Sequence, residues 1–97
     1  MIIKILSTAF SDIALAQQFY EQQQKGLGIY SQDAIFSDID ALIVYAGVHP
    51  QLFGFYRSLS KVFPYAIYYK IEVECVVVWH VLDCRSKPSR SQKVLKS

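Results

Sequence analysis

Ninety-seven residues make one domain, long enough to fold without metal or disulfide staples and too short to bury two separate cores. Apolar residues are 53% of the chain and charged ones 19%, and no apolar run approaches the roughly 20 residues that span a bilayer, so a soluble cytoplasmic protein without a membrane role is expected. The net charge of +2 hides an asymmetry: residues 1–84 carry five Lys/Arg against eight Asp/Glu, whereas the last thirteen residues are +5 through Arg85, Lys87, Arg90, Lys93 and Lys96. A basic tail on a mildly acidic body fits an anionic partner, nucleic acid or an acidic protein segment, and equally a solvated terminus.

In chain order, Ile2 to Leu6 is a short β-branched run that predicts an opening strand. Lys4 interrupts its apolar character and a helix signal follows at once, which argues against a cleaved signal peptide. Ser7 to Ser11 reads as a break, with Ser11 and Asp12 as N-cap chemistry for a first helix reaching about Gln24. Leu15 with Phe19, or Ala16 with Tyr20, would supply its apolar face. Gly26-Leu27-Gly28 stops that helix. A second, amphipathic helix is predicted from Gly28 to Gly47 on the stripe Ile35, Ile39, Leu42, Ile43 and Ala46, and His49-Pro50 ends it.

The rest of the chain reads as β. Leu52 to Leu59 forms one strand around Gly54, and Phe63 to Glu72 (FPYAIYYKIE) a second. Cys75 to Cys84 is a third, apolar on both parities and therefore expected in the middle of the sheet, covered on both faces. The order β-α-α-β-β-β predicts an α+β domain over residues 1–88: a helical hairpin packed on one face of a small, mainly antiparallel sheet, followed by a basic tail over 89–97 in which Val94 and Leu95 would let a short helix dock.

Candidate chemistry is sparse. Four aromatic residues in FPYAIYY admit two readings, a platform for stacking bases or a core strand. Period two puts Tyr65, Ile67, Tyr69 and Ile71 on a core face and leaves Tyr68 and Lys70 on the other, where they alone of the stretch would meet a ligand. His80, read on the parity of Val76, Val78 and Leu82 with Trp79 opposite, is either a general base or a hydrogen-bonded structural residue; no nucleophile or orienting carboxylate can be placed beside it. Cys75 and Cys84, nine positions apart in one strand and hence about 30 Å apart, cannot bridge each other. Neither a metal site nor a cofactor is expected, since glycine-rich phosphate loops, HExxH and CxxC are absent. What remains is a set of cations, Arg57, Lys61 and Arg85, with Lys87 and Arg90 beyond, either ordinary surface charge or forked ligands for phosphate or carboxylate.

A strand, a helix ending in GLG, a helix ending before HP, an arginine strand, FPYAIYYKIE and VVVWHVLDCRSKP together resemble the RelE/ParE superfamily of bacterial toxins from type II toxin-antitoxin modules, over residues 2 to 88. The resemblance implies a toxin neutralised by a cognate antitoxin, with any DNA contact made through the antitoxin, and with one of two targets: DNA gyrase for ParE-like members, or messenger RNA in the ribosome for RelE-like ones. Relatives of the RelE kind use several basic residues and a late tyrosine. Here Arg57 occupies one basic position, Leu59, Ala66 and Ser86 fall at the other three, and no tyrosine follows Tyr69. The expectation is therefore a ParE-like gyrase inhibitor acting by binding. An mRNA interferase using Arg57, Lys61, Arg85 and Lys87 is the alternative, and a non-toxic antitoxin-binding remnant the second, because Ser86 and Lys87 stand where many relatives have Arg-Asp. Partner or target contacts are expected at Arg57, Tyr68, Lys70, Arg85, Lys87 and Arg90.

Overall fold

The computed structural model describes residues 1–85 and 88–96, with the backbone alone at residue 88. Ser86 and Lys87, both named among the expected site positions or departures, lie outside the described residues.

The opening strand β1 spans Ile2–Ile5 and is followed without a break by helix α1, Ser7–Gln23. The expected interruption at Ser7 to Ser11 does not occur: Phe10 N–H bonds Leu6 O at 3.1 Å, and Ala9 is the first buried member of a stripe continued by Ile13, Ala16 and Tyr20. Asp12 is therefore no cap. Its carboxylate leaves the helix for the sheet. Of the two alternative apolar faces, Ala16 and Tyr20 are buried while Leu15 and Phe19 are exposed.

Gly26 takes the left-handed conformation (φ 87°) that turns the chain into α2, Leu27–Asp40. Glu21 ties this corner by accepting N–H bonds from Gly26 (3.1 Å) and Gly28 (3.0 Å). Gly28 lies inside α2 rather than ending α1. A Cβ there would stand 2.7 Å from Gln17 O, so its missing side chain is what lets the two helices touch. The single helix predicted to Gly47 is divided at Ala41, after which α3 runs Leu42–Tyr45. Ile35, Ile39 and Leu42 point into the core, whereas Ile43 is exposed.

The strand expected over Leu52 to Leu59 is a hairpin, β2 Gln51–Leu52 and β3 Phe55–Leu59, reversed at Phe53 (φ 53°) and Gly54 (φ 83°). Both central residues are left-handed, as two-residue hairpin loops of the common type require. Strands β4, Tyr65–Glu72, and β5, Cys75–Asp83, form the long hairpin at the centre. The sheet order is β1-β5-β4-β3-β2, antiparallel except for the parallel β1–β5 pair. Helices α1 and α2 cover one face, over a core that includes Tyr65, Ile67, Tyr69, Val76, Val78 and Val81. This is the α+β arrangement expected from the sequence, with one more strand and the β1 pairing added.

The other face carries a smaller core of Phe55, Ala66, Tyr68 and Leu95, the last from helix α4, Pro88–Lys96. The basic segment read as a tail is thus helical and contributes a buried leucine. A bulge opposite Tyr68 and Tyr69 shifts the β5 register, so that Tyr68 pairs with His80 but Tyr69 with Val78. The parity of the main core changes there from Val76 and Val78 to Val81, which leaves Trp79 and His80 together on the second side of the strand. Trp79 therefore does not stand opposite a His80 turned toward Val76 and Val78, as strict alternation implied. Among the described residues no helix is long and apolar enough to cross a membrane.

Candidate functional site

The cross-strand register that pairs Arg57 of β3 with Tyr68 of β4 is the starting point of the site. It brings Arg57 Nε–H to 3.1 Å from the Tyr68 hydroxyl, and the Nη2 group to 3.6 Å from Cys84 Sγ at the end of β5. Tyr68 does not offer its ring to solvent as expected: it is 3% exposed, edge-on to Phe55, with its hydroxyl serving to hold the guanidinium. Around Arg57 opens a cavity of about 400 Å³, walled by the β2–β3 turn (Leu52, Phe53), by Asp83 and Cys84, and by Ser91 and Gln92 of α4.

The remaining predicted cations are placed elsewhere. Lys61 follows Ser60 in the β3–β4 connection, where Asp38 accepts the Ser60 hydroxyl at 2.6 Å and the Lys61 N–H at 3.2 Å; it borders a different, smaller cavity with Tyr45 and His49. Arg85 lies next in sequence to Cys84, but its guanidinium turns to Asp83 (3.1 and 2.9 Å) and over the Phe19 ring of α1 (5.7 Å), toward the helical face. Arg90 is exposed on α4. Lys70 stands over the rings of Phe55 (4.7 Å) and Trp79 (5.0 Å), in a second cavity. Among the described residues, Arg57 is thus the predicted cation that lines the first cavity, together with Tyr68.

The electrostatics of its neighbours follow from these contacts. Burial works to raise the pKa of Asp83, but the Arg85 side-chain and backbone hydrogen bonds and the Arg85 charge outweigh it and hold the carboxyl below the ordinary value. Burial pushes the Cys84 thiol up, and the nearby Arg57 charge recovers part of that. Sequence reasoning did not single out Asp83, Ser91 or Gln92 for this cavity. The LDC run at the end of β5 was visible, but its place beside Arg57 depends on strand register and on the docking of α4.

His49, next to the Pro50 expected to end the second helix, is anchored: its Nδ1 lies 2.6 Å from the Tyr69 hydroxyl, and that hydroxyl accepts the Gly47 N–H at 2.9 Å. His80 Nδ1 lies 3.1 Å from Asp12 Oδ2, the orienting carboxylate that the sequence could not place. Among the described residues no group of three His, Cys, Asp or Glu could hold a metal ion.

With this geometry in hand, comparison with solved structures finds a chain described as "Chromosomal ParDE TA system from P. aeruginosa", at a TM-score of 0.75 and 12% sequence identity, covering 84% of this chain and 92% of that one. The fold is ParE-like. At that identity the likeness is one of backbone fold rather than of shared side chains. No family model and no curated protein matches the sequence.

Proposed function

We propose that this chain is the toxin of a type II toxin-antitoxin module, that it inhibits DNA gyrase by binding, and that a cognate antitoxin neutralises it. The ParE-like fold supports the toxin reading. The observation that favours grasping over cutting is the state of the groups around Arg57. Cleavage of a nucleic acid strand needs a base, an acid and a cation converging on one phosphate. Asp83 beside Arg57 is held in its weakly basic form by Arg85, and Cys84 is pushed toward the neutral thiol. Arg57 keeps guanidinium donors for a carboxylate, the arrangement suited to an acidic side chain of a protein partner. An extended or helical segment ordering on this face would bury Leu52 and Phe53, each 38% exposed.

The test is expression of the isolated chain in a bacterial host, with gyrase cleavage complexes and message integrity assayed side by side. Growth arrest with accumulated gyrase–DNA complexes and intact messages is expected, and Arg57→Ala should relieve it. Codon-position cuts made by the purified chain on translating ribosomes would replace this reading with an mRNA interferase. Normal growth alongside a tight antitoxin complex would leave a binding module without toxicity.

A further inference from the structure

The guanidinium of Arg57, half-buried in the first cavity, has no carboxylate within ion-pair distance among the described residues. A charge taken partly out of water without a counter-ion is costly. Two contacts fix the plane of the group: Tyr68 accepts the Nε–H at 3.1 Å and Cys84 Sγ accepts an Nη2 hydrogen at 3.6 Å. Nε and Nη2 share one edge of a guanidinium. The terminal edge, Nη1 with the other Nη2 hydrogen, therefore keeps the parallel pair of donors that a carboxylate accepts. The acid in the cavity wall, Asp83, is already held by Arg85 at 3.1 and 2.9 Å.

Beside this fork stands an apolar wall. Pro50 accepts the Arg57 N–H at 2.9 Å and Leu52 pairs with Phe55, so Leu52 lies one two-residue repeat, about 7 Å, along the hairpin from Arg57. Leu52 and Phe53 are both exposed and border the same cavity. An extended chain sets alternate side chains on one side at that same spacing. An α-helix, about 10–12 Å across with its side chains, is too wide to enter a cavity of about 400 Å³. The negative charge of Asp83 in the wall opposes a doubly charged phosphate more than a singly charged carboxylate.

We propose that the Arg57 cavity binds an extended protein segment in which an aspartate or glutamate stands two positions from a bulky apolar residue. The carboxylate takes the free edge of Arg57, and the apolar side chain covers Leu52 and Phe53. The site rests on the reading that this chain acts by binding a protein, and it states what that partner must present.

The test uses the isolated chain and two probes, acetyl-Glu-Gly-Leu-amide and its reverse acetyl-Leu-Gly-Glu-amide, which cover both chain directions. Titration at constant ionic strength, followed by the NMR amide signals of Leu52 and Phe53, should give saturable shifts with one of them. Glutamine for the probe's glutamate should weaken binding about tenfold, the order of one lost charge-assisted bond, and leaves the protein's fold untouched. Alanine for its leucine, or leucine moved next to the glutamate, should weaken it about fivefold. Arg57→Lys, with its fold checked by thermal melting, should also lose about tenfold, because an ammonium lacks the fork. Lys25→Gln, on the exposed α1–α2 corner, should bind as wild type. No saturable shift with either probe, equal binding of the glutamine probe or of the adjacent-leucine probe, or inorganic phosphate binding as tightly as the better probe overturns the proposal. Gyrase is absent from this assay, so the two readings fail separately: a chain that binds the probe and spares gyrase loses the target, and one that inhibits gyrase without binding the probe loses this site.

Discussion

Replacing Gly28 by alanine sets two effects of opposite sign against each other. Alanine in a helix interior is favoured over glycine by about 0.5–1 kcal/mol. The new methyl, however, would stand 2.7 Å from Gln17 O and 2.9 Å from both Cβ and Oε1 of Glu21. The first of these is backbone of the facing helix and cannot swing aside, so α1 and α2 must separate, at the roughly 1–3 kcal/mol typical of an overfilled core. The displaced Glu21 carboxylate also loosens its bonds to the Gly26 and Gly28 N–H groups, each charge-assisted and worth about 1.5–3 kcal/mol when fully lost. A net destabilisation of about 2 kcal/mol follows, which for a domain of this size lowers the melting temperature by about 8–16 °C. Gly26→Ala is the control: nothing lies within 4 Å of its Cβ position, and the penalty is the left-handed conformation alone, about 1 kcal/mol. Paired thermal and urea unfolding checks the ranking. A Gly28→Ala protein as stable as wild type would refute the claim that this glycine sets the helix spacing.

Other consequences are testable separately. In a Cys75→Ser background, alkylation of Cys84 should be slow near neutral pH and accelerate as pH rises, and Arg57→Ala should slow it further, because the Arg57 charge opposes the upward shift that burial imposes. Arg85→Ala should move the Asp83 pKa upward, since the side-chain bond and charge that outweigh burial are then gone; an NMR titration that leaves it in place contradicts the ion-pair account. Asp12 is held above its ordinary pKa by burial, against the pull of the Val81 N–H and His80. A raised folded-state pKa means that its contribution to stability is fullest below the unfolded value and is lost as pH rises through the folded one. Asp12→Asn keeps an oxygen for both donors and should lessen that loss as pH rises above the ordinary carboxylate range, whereas Asp12→Ala strands the buried Val81 N–H and should cost about 1–3 kcal/mol by urea unfolding.

The sheet was legible where composition alone decides burial. VVVWHVL is apolar on both parities, and β5 is indeed sandwiched between the main core and the Trp79, Leu82 and α4 side. The helix pair and its glycine corner were equally readable. The β2–β3 hairpin was not, because its turn places a phenylalanine rather than Asn or Asp in a left-handed conformation, so the usual local signal is missing. The bulge in β5 was invisible for a related reason: one inserted residue changes which parity faces the core, and no side chain in VVVWHVL marks the place. The cavities suffered most. Arg57 and Lys70 could be named as cations, but that Arg57 meets Cys84 while Arg85 turns to Phe19 depends on strand register and rotamer, which residue type does not encode.

Helix α4 separates the two cavities, giving Ser91 and Gln92 to one and Val94 and Leu95 to the other, with Phe53 shared between them. Arg57 is held by Tyr68 and Cys84, and Lys70 by Phe55 and Trp79; what connects the two sets is the edge-on contact of Phe55 with Tyr68, 6.4 Å between ring centres. That contact is apolar and carries no charge from one cavity to the other. Stability changes in Arg57→Ala and Lys70→Gln should therefore add to within about 0.5 kcal/mol in a double-mutant cycle. Leu95 is different, being buried against both sets, and Leu95→Ala should couple with each of them. A coupling above about 1 kcal/mol between Arg57 and Lys70 would mean that the face responds as one unit, so that an occupant of either cavity is felt in the other.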